Sequence, residues 1–162
     1  MSDSGAQQQP SITARDFVAH APSRLALRVL AGERGLSSRL ITSARIQKLG
    51  LALASFTHYL HPGRIQIIGQ SEVLFLSQLT PDGRLEAINN LSFETISCVL
   101  VTKEQMPPVE FVEAAERAGL PLLQTTLVSS LAISAIRIFY RSRSRRASCG
   151  MACCWTPTAS AF

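Results

Sequence analysis

The chain has 162 residues, 46% of them hydrophobic and 17% charged, with a formal net charge of +5. That length suits one domain with a real core, and no apolar run approaches the roughly 18 residues of a membrane span. Met1 to Pro10 is polar and Gln-rich with no apolar stretch of a secretory signal, so a cytoplasmic protein without a membrane partner is expected.

Residues 1–10 read as disordered and residues 11–140 as one domain. Thr13-Ala14-Arg15-Asp16 has the form of a capping box, and Pro22 ends the short helix it starts. Leu25 to Leu30 alternates apolar and polar positions, which suits a half-buried strand. Leu40 to Ile46 reads as a second strand, the pair adding to one edge of a sheet. Leu49 to Phe56 fits either a short buried helix or a strand. His58 and His61 flank Tyr59 three apart without a third ligand nearby, which favours a structural role over metal.

The centre of the chain is Pro62-Gly63-Arg64-Ile65-Gln66-Ile67-Ile68-Gly69-Gln70-Ser71-Glu72. It reads as turn, strand, tight turn, then a helix from Glu72 to Leu79 capped by Ser71. Thr80-Pro81 restarts a helix towards Asn90, with Thr80 as cap. Ile96 to Val101 is a strand covered on both faces. Pro107-Pro108 opens a helix from Val109 to Ala118, Gly119 stops it, and Pro121-Leu122-Leu123 is another strand. A last helix carries apolar positions from Leu127 to Phe139. The order from Arg64 is β-α-α-β-α-β-α, which predicts an α/β fold: a small, mostly parallel sheet with flanking helices.

Residues 141–162 differ. Arg141, Arg143, Arg145 and Arg146 sit there with no acid, while the other twelve basic residues nearly balance the eleven acids. A basic tail can bind phosphate backbones, but a disordered appendage with no nucleic-acid partner is the favoured reading. Cys149, Cys153 and Cys154 crowd beside Trp155 without a fourth metal ligand, so no metal is expected; Cys98 reads as a small buried hydrophobe.

Catalytic signatures are missing. The sequence has no Gly-Lys dipeptide and hence no P-loop, and no GxSxG, HExxH or GxGxxG. Glu72, Asp82 and Glu86 read as solvated helix carboxylates rather than catalytic ones. No catalytic or cofactor-binding residue is expected in this chain. The one ligand candidate is the Gly69-Gln70-Ser71 turn, where helix-start N–H groups suit an anion; without Lys or Arg in the loop, a plain connection competes with that reading.

Arg64-Ile65-Gln66-Ile67-Ile68-Gly69-Gln70-Ser71-Glu72 resembles the RIQ-hydrophobic-hydrophobic-G-x-[ST]-E signature in the N-terminal domain of HPr kinase/phosphorylase. Ile12 to Asp16, Gly50 to Ala54, Pro107-Pro108, Ala114 to Glu116, Ala118-Gly119 and Pro121 to Thr125 resemble other blocks of that family, over about residues 12–140. Gln47-Lys48-Leu49 departs from the family's Asn-Arg-Pro. The resemblance implies a fold similar to the N-terminal domains of Mur ligases. It also implies a bacterial regulator of carbon metabolism that phosphorylates a serine of HPr, with ATP or pyrophosphate and Mg²⁺, and reverses that step by phosphorolysis. That family assembles as a hexamer, and its chemistry lies in a C-terminal P-loop kinase domain that this chain lacks.

A frameshift from about Arg143 is also expected. Reading each third base with the next two, Met151-Ala152 forces Gly, Cys153-Cys154 and Cys154-Trp155 force Leu, and Trp155-Thr156 forces Asp. The forced text is Gly-x-Leu-Leu-Asp, as the family has it after its linker helix. Two functions remain: a non-catalytic regulatory or assembly domain, or a freestanding small-ligand (anion) or nucleic-acid binding module.

Overall fold

The computed structural model describes residues 11–54 and 60–149, with only the backbone of 144–149. The expected disordered N-terminus, His58, and the Cys153-Cys154-Trp155 cluster lie outside the described residues.

Strand β1 (Ile12–Thr13) leads directly into helix α1 (Ala14–His20). Thr13 caps it as expected: its Oγ1 accepts from the Asp16 N–H at 3.0 Å and donates to Asp16 Oδ2 at 2.8 Å. That hydrogen bond, with the nearby His20, holds the Asp16 carboxyl below its ordinary range.

The two strands expected between Leu25 and Ile46 are redistributed. Leu25 ends a 3-10 turn (Ser23–Leu25) and strand β2 is Arg28–Ala31. The second splits into β3 (Leu40–Ile41) and β4 (Ile46–Lys48). They do not share an edge. β2 runs antiparallel along one edge, β4 runs parallel along the other, and β3 pairs with β1 in a separate two-stranded sheet. Alternation shows which face is buried, but cannot show which edge a strand joins.

In the described part of the ambiguous apolar run, residues 50–53 form helix α2 (Gly50–Leu53). Strand β5 (Ile65–Ile68), helices α3 (Gln70–Gln78) and α4 (Pro81–Asn89), strand β6 (Cys98–Val101), helix α5 (Val109–Ala118) and strand β7 (Leu122–Gln124) follow the expected order. Thr80 caps α4 through the Gly83 N–H, and Gly119 ends α5 in the left-handed region at φ 58°. Helix α6 (Ser129–Cys149) runs past residue 140, so the stretch expected to be disordered begins as helix. Arg and Ala are good helix formers, and extending an existing helix needs no new nucleus. Residues 150–162 lie outside the described residues.

The main sheet has the order β2-β7-β6-β5-β4 with the last four parallel. One face carries Ile68, Val99, Val101 and Leu122 and is covered by α2 to α5 through Leu53, Leu76, Ile88 and Phe111. The other carries Ile65, Ile67, Leu100 and Leu123 and is covered by α1 and α6 through Phe17, Ala135, Ile136 and Phe139. Phe17 and Phe139 meet edge to face at 5.7 Å. Cys98 is fully buried as expected, and burial pushes its thiol up to about 12.

One position breaks the pattern. Gln66 sits mid-strand between Gln47 and Val99, fully buried, with neither amide atom hydrogen-bonded. An unpaired buried polar group costs about 1–3 kcal/mol. Gln66→Met keeps the length and removes both orphans, so urea unfolding is expected to show a higher midpoint than the parent. Val99→Asp in the neighbouring strand places an unpaired charge in the same core and is expected to abolish cooperative unfolding in the same assay.

Candidate functional site

In an open α/β sheet, ligands bind beyond the carboxyl ends of the parallel strands. Here a cavity of about 300 Å³ opens there, lined by residues that include Lys48, Gly69, Gln70, Ser71, Glu72, Thr102, Lys103 and Ser129. Lys48 ends β4, Gly69 follows β5, and Thr102 and Lys103 follow β6. Helices α3 and α6, which cover opposite faces of the sheet, both start at this cavity. Their first N–H groups have no partner within their own helices.

The β5–α3 turn differs from the expected one. Ser71 is not the cap; the helix begins earlier, at Gln70, with Gly69 in the N-cap position. Glu72 does the capping from the third helical position. Its Oε2 accepts from the Gly69 N–H at 2.9 Å and from the Ser71 hydroxyl at 3.2 Å. Glu72 is only 8% exposed, which overturns its reading as a solvated carboxylate. Asp82 and Glu86 are exposed on α4 and line no part of this cavity.

Two glycines let the parts approach. A Cβ on Gly69 would stand 3.1 Å from both Glu72 Oε2 and Ser129 Oγ. A Cβ on Gly50 would stand 3.0 Å from Glu72 Oε1. The carboxylate is therefore wedged between the starts of α2 and α3.

The β6 side is held as tightly. Thr102 Oγ1 and Ser129 Oγ share a hydrogen bond of 3.0 Å, tying the end of β6 to the start of α6. Lys103 and Glu104 both lie in the left-handed region, at φ 58° and 51°. Their N–H groups donate to Leu127 O at 2.9 Å and Thr125 O at 3.0 Å. Such backbone strain persists where surrounding contacts fix it. The Lys103 ammonium donates to Gln70 Oε1 at 3.3 Å across the cavity rim.

The structure thus keeps Gly69, Gln70 and Ser71 together at one cavity and supplies what the loop itself lacks, two lysines from neighbouring strands. Sequence reasoning missed Lys48, Lys103, Thr102 and Ser129 because they are distant in the chain. The available signal was that each directly follows or ends a parallel strand or starts a helix. The Gly69-x-x-Glu72 spacing likewise signalled a helix start one turn before Glu72 would be solvated. His61 is exposed, and among the described residues no group of three or more His, Cys, Asp or Glu side chains could hold a metal ion. A second cavity of about 350 Å³ lies between α4 and α5, lined largely by apolar residues such as Ile88, Leu91 and Phe93.

Residues 12–139 match the family model described as HPr Serine kinase N terminus. An HPr kinase/phosphorylase of Geobacter sulfurreducens is 42% identical over 133 residues, which is 82% of this chain and 41% of that protein. One of Brevibacillus brevis is 35% identical over 126 residues, 78% of this chain and 40% of that protein. The chain therefore spans about two-fifths of the length of these curated relatives. A looser structural likeness, TM-score 0.48 at 17% identity, covers 71% of this chain and 43% of the CBS and DRTGG regulatory region of a Clostridium perfringens pyrophosphatase.

Proposed function

The chain belongs to the HPr serine kinase N-terminal family, and on that premise we propose that it is the non-catalytic regulatory or assembly domain of an HPr kinase/phosphorylase. The observation that carries this reading is the extent of the match. It fills residues 12–139 of this chain yet only about two-fifths of each relative. Phosphoryl transfer relies on a phosphate cradle, a lysine and a held Mg²⁺, and the sequence contains no Gly-Lys loop to supply them. In this reading HPr is the partner of the whole protein, ATP and Mg²⁺ serve the catalytic domain, and the hexamer is the assembled form. The family reading also places the protein in the cytoplasm.

The domain's own chemistry is anion binding. Two helix starts and two lysines converge on the Gly69 cavity, and the site is small enough to select a small molecule. This joins the two functions left open by the sequence: the ligand-binding module and the regulatory domain become one. Residues from about Arg143 onward read as out-of-frame translation, so neither the terminal cysteines nor the Arg cluster belongs to the site.

Labelled ATP with Mg²⁺ and purified HPr is expected to give no phosphoserine with this chain alone. Added to a separately produced catalytic domain of the Geobacter sulfurreducens relative, it is expected to change the ratio of kinase to phosphorylase rate. Phosphorylation by the chain alone would overturn the assignment, and an unchanged ratio would remove the regulatory role. Sequencing the gene is expected to show a P-loop kinase domain in a shifted frame downstream; its absence there would overturn the frameshift.

A further inference from the structure

Helix α3 turns an uncharged face to solvent. Val73 and Leu76 pack inward and Glu72 is buried, while Gln70, Ser71, Leu74, Phe75 and Gln78 are exposed. Leu74 is 55% exposed and Phe75 39%. From Leu49 to Pro81 the only formally charged residues are Arg64 and Glu72, in a chain that is 17% charged. A solvated helix face ordinarily carries charge, whereas the buried centre of a contact between proteins is depleted of it.

The order of these residues points to what covers the face. Gln70, Leu74 and Gln78 stand four apart on one row, with an amide at each end and Leu74 at the centre. A second α3 turned end for end about Leu74 sets each Gln70 against a Gln78 and each Leu74 against its counterpart. An amide both donates and accepts, so two amides satisfy one another. Charge selects the same orientation. Lys48 and Lys103 stand beside the start of α3, and Lys103 donates to Gln70. Asp82 is exposed just past its end, where Arg84 is already paired with Glu110. Two copies lying the same way would set lysines against lysines. Turned end for end, they set lysines against carboxylates and the positive start of each helix against the negative end of the other. We propose that α3 is a self-association face, through which two copies of this chain pair about a two-fold axis at Leu74. The contact needs no catalytic domain and no ligand in the cavity, so it stands or falls apart from the function proposed above. At nine residues α3 is about 13 Å long, which puts the contact at the small end of specific interfaces and makes the dimer a weak one.

Sedimentation equilibrium of the full chain under reducing conditions, from micromolar to millimolar concentration, reads the pairing. The parent is expected to fit a monomer–dimer equilibrium with a dissociation constant on the order of 100 µM. Leu74→Glu sets two carboxylates against each other on the axis and is expected to leave only monomer. Gln70→Glu with Gln78→Lys places opposite charges across both ends and is expected to tighten the dimer about fivefold, the worth of two exposed ion pairs. Gln70→Lys with Gln78→Lys places like charges there and is expected to weaken it by a similar factor. These positions are exposed, so each variant is expected to unfold in urea much as the parent does. A parent chain that stays monomeric throughout would overturn the proposal, as would a dimer that survives Leu74→Glu. Equal affinities of the two double variants would overturn the end-for-end geometry. That comparison decides the matter even if Leu74→Glu loses stability.

Discussion

The bond from the Gly69 N–H to the Glu72 carboxylate holds the junction on which the cavity depends. It joins the end of β5 to the start of α3. Without a Cβ, Gly69 lets Ser129 close in from α6 on the far face, and Gly50 lets α2 close in from the near one. Three helix starts are therefore gathered around one carboxylate. The arrangement uses the negative charge twice: it caps a helix through its dipole, and it shapes the polarity of the cavity beside it.

The opposite end of the sheet is held by a cation, Arg39. Arg39 precedes β3, and its guanidinium donates to the carbonyls of Ile96 at 2.7 Å, Glu94 at 3.1 Å and Ala118 at 3.0 Å, with Phe93 O completing the set. Ala118 O belongs to the last turn of α5, where a positive charge is favoured. The Ser97 hydroxyl returns a hydrogen bond to Leu40 O at 2.6 Å. The small β1–β3 sheet, which would be marginal in isolation, is thereby tied to the loop before β6 and to the end of α5. Burial lowers the guanidinium's ordinary basicity, and four carbonyl dipoles replace the water it loses. The two ends of the sheet thus contrast. At the Arg39 end a cation gathers carbonyls; at the Glu72 end a carboxylate caps a helix beside an open cavity.

How much of this was legible in the sequence depends on range. Local chemistry was readable: the Thr13 and Thr80 caps, the Pro108-to-Gly119 limits of α5, and the apolar runs of β5, β6 and β7 all follow from neighbours within a few residues. The split of Leu40 to Ile46 was not, because the pairing partners of β3 and β4 are Ile12-Thr13 and Ile65 to Ile67, far off in the chain. Glu72 was misread for a related reason. Its burial is caused by Gly50 and by the cavity wall, neither of which periodicity along α3 reveals. The ligand candidate was found through its turn, but its charge comes from Lys48 and Lys103, which only the parallel register brings to the same edge.

Helix α6 limits how the site can act at a distance. Its first turn touches the cavity through Ser129, and it continues for 21 residues to Cys149, on the order of 30 Å. The electrostatic effect of a bound anion on the helix dipole fades within the first turn, so charge alone cannot carry information to the far end. Sliding the helix is also opposed, because Ala132, Ala135, Ile136, Phe139 and Tyr140 are buried on the sheet beneath it. Packed side chains at this density shift between discrete arrangements rather than deforming smoothly. The Thr102–Ser129 hydrogen bond adds to this, because it ties the first turn of α6 to the end of β6 and so makes the helix part of the cavity's rigid frame.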